Sequence, residues 1–302
     1  MDRTSSTSID PSLSGVFLAL VTPFRDGALD EASLSRLVAH FAASPIAGFV
    51  LAATTGEGLV LDEDETERLV AIAAAAAGPL PLWLGISGSD TRRLKARLDT
   101  TARWPIAGHL VACPAYTRPP QDGLRQHFTL LARDAAKPIL LYNIPYRTGV
   151  NLANETLLRL AELPAIRGVK DCCADAAQSF DLLRHRPPGF AVLTGEDALF
   201  HTALTQGADG GILAAAQADP AAFVALREAV LAGDLSDALQ RWQGLVDLAR
   251  LLFAEPSPAP IKHWLWRSGL IASPELRLPM TGVSPALAGK LDRLLWERRA
   301  AT

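Results

Sequence analysis

The sequence predicts an α/β chain folded as a (β/α)8 TIM barrel with a C-terminal helical extension. Three observations carry this expectation. Eight short apolar runs recur from residue 15 onward, each is followed by a longer stretch of helical period, and after Gly233 the runs stop while helical stretches continue. In order, the run 15–21 leads to the amphipathic stretch 30–43, 48–53 to 63–77, 80–86 to 91–103, and 109–113 to 123–136. The second half repeats the alternation: 138–142 leads to 155–162, 166–170 to 176–185, 191–194 to 198–206, and 210–213 to 220–232. Eight such units suit a closed parallel barrel better than an open sheet. Three further helical stretches follow, 235–253, 259–268 and 285–299. The expected organisation is a flexible N-terminal tail over 1–14, a barrel over 15–233, and a helical extension packed on it over 234–302.

Composition sets the class of partner. Of the 302 residues, 49% are hydrophobic and 20% charged, enough apolar surface for a large core. The balance of 29 Lys+Arg against 32 Asp+Glu gives a formal charge of -3 with no basic block, which argues against nucleic acid or an anionic membrane as partner. A small neutral or anionic substrate remains. The most apolar stretch, 71–86, is broken by Gly78, Pro79, Pro81 and Gly85, so no membrane span is expected. The polar, Ser/Thr-rich start lacks the apolar core of a signal peptide. Cys113, Cys172 and Cys173 supply neither a disulfide framework nor zinc-ligand spacing, and the expectation is a protein of the reducing cytoplasm.

In a barrel of this kind reactive groups belong at the C-terminal ends of the strands. Lys170 ends the run Ile166-Arg167-Gly168-Val169-Lys170, and it is one of five lysines beside 24 arginines. Burial disfavours an ammonium and lowers a lysine's pKa from about 10.4, freeing an amine that attacks carbonyls. Taken alone, Lys170 is open to two readings: a Schiff-base lysine, or one that reaches solvent or pairs with Asp171. Tyr142, at the end of the neighbouring run, is a phenol able to donate and accept a proton beside an imine, or else a core residue. Arg147, five residues on, offers a fork of donors suited to a carboxylate, or else lies on the surface. Thr54-Thr55-Gly56-Glu57-Gly58 follows the second run, where hydroxyls and backbone N–H groups converge on an anion or form an ordinary turn. Tyr116, after the fourth run, is a second phenol or a packed loop aromatic.

Together these residues carry a resemblance that spans nearly everything from Gly15 to Met280. Thr54-Thr55-Gly56-Glu57 followed by Glu65, and the path from Tyr142-Asn143-Ile144-Pro145 to Gly168-Val169-Lys170-Asp171, are similar to the dihydrodipicolinate synthase / N-acetylneuraminate lyase family of pyruvate-dependent class I aldolases. Leu20-Val21-Thr22-Pro23-Phe24 and Glu255-Pro256-Ser257-Pro258 echo it. The resemblance implies that Lys170 forms an imine with pyruvate, that Tyr142 is the general acid and base, and that Thr54 and Tyr116 complete a proton relay. Tyr116 would reach into a neighbouring subunit, and a homotetramer built as a dimer of dimers is implied. Thr55, with Gly56 beside it, would hold the pyruvate carboxylate, and Ile212 would add a backbone contact. Arg147 matches the arginine that, in the synthase branch, engages the carboxylate of the second substrate, aspartate 4-semialdehyde. The covalent imine makes a metal or organic cofactor unnecessary. The pocket lining departs from the family at Ala53, Tyr146 and Leu213.

Other features have plainer readings. Asp62 followed by Glu65 is a helix capping box rather than a metal site. The histidines lack paired spacing, Trp264 and Trp266 suit a core or subunit interface, and Cys172 and Cys173 suit packed thiols. Two alternatives stand beside the synthase reading. One is another pyruvate-dependent aldolase, lyase or dehydratase acting on a hydroxy-keto acid; the other is a non-catalytic pyruvate-binding barrel.

Overall fold

Eight parallel strands close on themselves in sequence order in the computed structural model, which describes residues 13–300. They are β1 (Gly15–Ala19), β2 (Gly48–Leu51), β3 (Leu82–Ile86), β4 (Gly108–Ala112), β5 (Ile139–Asn143), β6 (Ile166–Asp171), β7 (Ala191–Thr194) and β8 (Gly210–Leu213), with β8 pairing back onto β1. Residues 1–12 of the expected tail lie outside the described residues, and Leu13 is already buried.

Around the strands stand α1 (Glu31–Ala42), α2 (Glu63–Ala76), α3 (Thr91–Thr101), α4 (Gln121–Ala132), α5 (Asn154–Leu160), α6 (Ala176–His185), α7 (Phe200–Thr205) and α8 (Pro220–Leu231). Aspartate sets where many of them begin. Asp30, Asp62, Asp90, Asp175 and Asp219 each accept a hydrogen bond from a backbone N–H of the first turn, a cap worth about 1 kcal/mol. Asp62 and Glu65 form both halves of the capping box.

The extension consists of α9 (Leu235–Leu251), α10 (Ala259–Arg267) and α11 (Pro285–Ala300). Its Leu248, Trp264, Leu265 and Leu291 share one continuous buried cluster with Phe17 and Phe49 of the barrel. Among the described residues, no helix is long and apolar enough to cross a membrane.

All eight expected strands are present, with shifts that have local causes. The first ends at Ala19 rather than residue 21, because the Gln217 side chain donates to Ala19 O (2.8 Å) and accepts from Val21 N (3.2 Å) where a strand partner would. The second ends at Leu51 because Ala52 turns left-handed, with φ 50°. The fourth helix, expected over 123–136, runs from Gln121 to Ala132: Arg133 is extended and Asp134 is left-handed, with φ 56°. A short hairpin, Phe24–Arg25 with Ala28–Leu29, and a one-turn helix, Pro145–Thr148, were not expected from sequence period, being shorter than any period can register.

Candidate active site

Parallel register brings the two leading candidates side by side. Tyr142 of β5 pairs directly with Lys170 of β6, both are only 5% exposed, and Lys170 Nζ lies 4.6 Å from the centroid of the Tyr142 ring. β5 ends here because Ile144 and Pro145 turn the chain into the one-turn helix that carries Arg147. Burial pushes the Tyr142 phenol well above its ordinary range, the Cys172 thiol adds to the rise, and a hydrogen bond with Thr54 opposes it. A neutral phenol at the end of a barrel strand, with a hydroxyl partner, is placed to pass protons.

A cavity of about 370 Å³ opens beside Tyr142; Lys170, packed against the Tyr142 ring, is not itself among the residues that line this cavity. Its wall includes Thr54 from the loop after β2, Ser87 from the loop after β3, Tyr142 and Arg147 from β5 and its turn, and Pro258 and Met280 from the C-terminal extension. A larger hollow of about 610 Å³ lies at the opposite end of the barrel, around Leu13, Trp83 and Lys137. Chemistry on this fold is built at the C-terminal ends of strands, and the buried amine and phenol are at that end.

The remaining expected residues fall as follows. Thr55 is buried, Gly56 O accepts from Thr22 Oγ1 (2.6 Å), and Ile212 is buried on β8 in register with Phe17 of β1. None of these three lines the cavity. Tyr116 does not line it either: the residue is 95% exposed, with φ 70°, and its N–H donates to Thr148 O (3.0 Å).

Several residues that shape the site escape the sequence reading. Gly195 follows β7, and a Cβ there would lie 2.2 Å from Lys170 Cε and 2.3 Å from Cys172 Sγ. Only a glycine leaves Lys170 its space. Asp197, two residues on, is buried, and its carboxyl is pushed up to about 7 by burial against backbone hydrogen bonds from Ala215 and Ala214 and the charge of Lys170. It accepts from Ala215 N at 2.6 Å and so ties the loop after β7 to the turn after β8. The signal was available: Asp197 lies just past a strand end, the criterion that picked out Lys170.

Tyr146, one of the departures noted above, donates from its phenol to Glu196 Oε1 (2.8 Å). Because β6 lies between β5 and β7, this bond spans the end of the strand that carries Lys170. Cys172, next to it, is buried, and burial pushes its thiol well above the ordinary range. It is a packed group rather than a nucleophile.

Known proteins share both the sequence and the fold. Residues 12–297 match the model of the dihydrodipicolinate synthetase family. The 4-hydroxy-tetrahydrodipicolinate synthase 2 of Clostridium acetobutylicum is 40% identical over 284 residues, 94% of this chain and 99% of the relative. The 4-hydroxy-tetrahydrodipicolinate synthase of Azoarcus sp. is 36% identical over 291 residues, 96% of this chain and 98% of the relative. The crystal structure of dihydrodipicolinate synthase from Thermotoga maritima superposes with a TM-score of 0.92 at 30% identity, covering 96% of this chain and 100% of that one. With its buried lysine and tyrosine in register on a closed eight-stranded barrel, the chain belongs to the dihydrodipicolinate synthetase family.

Proposed function

We propose that the protein is a class I, Schiff-base pyruvate aldolase that condenses pyruvate with L-aspartate 4-semialdehyde to give 4-hydroxy-tetrahydrodipicolinate, a step of lysine and diaminopimelate biosynthesis. The observation that carries this reading is the buried Lys170 amine set against the buried Tyr142 phenol. The Lys170 amine adds to the keto carbon of pyruvate, and water leaves as the imine forms. The iminium draws electrons from the methyl carbon, which gives up a proton to become an enamine. The enamine carbon attacks the aldehyde carbon, the aldehyde oxygen takes up a proton, and the amine carried by the aldehyde substrate then adds to the regenerated iminium carbon and displaces Lys170, closing the ring of the product; the one water lost overall is that of imine formation. Tyr142 and Thr54 move these protons. The iminium is itself the electron sink, so the route needs no metal or organic cofactor.

The other residues have distinct roles in this reading. Thr55 and Gly56 hold the pyruvate carboxylate and Ile212 offers a backbone contact, while Arg147, exposed at the cavity wall, takes the carboxylate of the aldehyde substrate. Tyr116 completes the relay of a neighbouring subunit in a homotetramer; its exposure and its left-handed backbone support a side chain presented outward rather than into its own cavity. Residence in the cytoplasm belongs to the same reading, supported by three free cysteines.

Borohydride reduction in the presence of pyruvate tests the imine. One reduced pyruvate is expected on the peptide carrying Lys170, and purified protein is expected to turn over pyruvate with aspartate 4-semialdehyde. Absence of the adduct overturns the aldolase reading; an adduct without turnover overturns the choice of aldehyde. The crowding at Gly195 gives a second prediction. Gly195→Ala is expected to displace Lys170 and lower kcat about a hundredfold, the usual cost of misplacing a reacting group by an ångström, with an unchanged far-UV circular dichroism spectrum.

A further inference from the structure

The loop expected to hold the keto acid is fastened from outside the barrel. Glu57, immediately after Thr54-Thr55-Gly56, is a left-handed non-glycine residue (φ 52°), and it is buried. Its carboxylate Oε1 lies 2.5 Å from Lys262 Nζ, and its Oε2 accepts from Arg277 N at 3.2 Å. Lys262 is on α10, and Arg277 lies between α10 and α11. The Lys262 side chain has no exposed surface; its Nζ also donates to Glu275 O (2.7 Å) and sits 4.2 Å from the centre of the Phe24 ring. Arg277 covers the same ring at 4.4 Å, donates to Val60 O (2.9 Å), and pairs with Glu65 at the start of α2.

Little slack remains on the barrel side. Gly58 N donates to Ala53 O (3.2 Å), and a Cβ at Gly58 would stand 1.7 Å from Ala52 O. The loop is thus wound tightly between its own strand and two cations of the extension. A fully buried ion pair is a poor device for stability alone, because desolvating both charges cancels most of their attraction and apolar side chains of similar size do as well. Burial pushes Lys262 down to about 8 even against the pull of Glu57. What the pair supplies is a fixed position for Glu57 and hence for Thr54, Thr55 and Gly56.

We infer that Lys262, through its buried ion pair with Glu57, is a positioning residue for keto-acid binding, so that the C-terminal extension takes part in substrate affinity. The inference rests on the aldolase reading of the same site. Lys262 touches no substrate; it acts by holding the loop that does.

The test compares the full-length protein with Lys262→Met, Glu57→Gln and the double variant. Readouts are KM for pyruvate, KM for the aldehyde, kcat and Tm, with the competent fraction counted by borohydride trapping at saturating pyruvate. Each single change is expected to raise the pyruvate KM about tenfold while the aldehyde KM stays within about twofold. The double variant is expected to be no worse than the poorer single, because the two side chains act as one unit. An unchanged pyruvate KM in protein with a lowered Tm overturns the inference and leaves the pair a structural contact. Where a single variant fails to fold because one charge is stranded, the double variant, which removes both, decides in the same way. A parent protein that traps no pyruvate overturns the aldolase reading itself; a parent that traps it, with variants of unchanged KM, overturns only the role of Lys262.

Discussion

On the aldolase reading, Lys170→Met is expected to abolish pyruvate trapping and to lower turnover by at least about 10⁴-fold, since it removes the amine on which the imine forms. The physical case is specific to the position. Lys170 ends β6, is 5% exposed, and meets Tyr142 across one strand pairing. Methionine has a similar unbranched length, fills the space beside the Tyr142 ring, and removes an amine from a buried site. The variant is therefore expected to fold, with a Tm equal to or above that of the parent, so that lost activity reports lost chemistry. Mass spectrometry after borohydride treatment, steady-state turnover and a thermal melt together check it. Retained trapping in this variant would move the imine to another lysine.

Tyr142→Phe is expected to lower kcat by about 10² to 10⁴, the range that a positioned general acid and base contributes. Imine formation slows but is not lost, so trapping still reaches one pyruvate per chain at long times. The two readouts separate the proposed roles: on the aldolase reading the amine decides whether the adduct forms, and the phenol how quickly protons leave and arrive. The direction of the phenol's shift also fixes a pH expectation. Its folded-state value lies well above the ordinary 10, because burial disfavours the phenolate, so Tyr142 remains protonated throughout neutral and mildly alkaline solution. The parent's kcat profile is accordingly expected to carry no limb from ionisation of Tyr142 between about pH 6 and 9. A loss of kcat in Tyr142→Phe smaller than threefold, or about that, would remove the phenol from the reaction.

What the sequence makes legible here is local. Short, mostly apolar runs mark every barrel strand, and Lys170 stands out because it is a rare lysine at the end of one. Its pairing with Tyr142 follows from adjacency of the fifth and sixth strands, which sequence order in a barrel supplies. The start of α2 is legible for the same reason, since Asp62 and Glu65 satisfy each other within one turn. The end of α4 is not, because Arg133 and Asp134 carry no strong stop signal and the helix ends through their backbone angles. The partner of Glu57 escapes for another reason: Glu57 stands in a legible motif, but Lys262 looks like a surface charge, and only folding of the extension onto the hairpin and the loop after β2 makes the two partners. Asp197 differs: its place just past a strand end is visible, and only its partners, the amides of Ala214 and Ala215, arrive with the next strand.

The bond from Tyr146 to Glu196 closes the β7 side of the strand end that bears Lys170, while the cavity wall comes from the loops after β2 to β5 and from the extension. On the aldolase reading, an enamine growing from Lys170 is therefore screened on one side and open on the other. With its approach limited to the open side and its carboxylate at Arg147, the incoming aldehyde presents one prochiral face of its carbonyl, and the new hydroxyl-bearing carbon forms with one handedness. Cutting the bond with Tyr146→Ala would let the aldehyde turn either carbonyl face to the enamine, and the diastereomeric purity of the product would fall before its yield does.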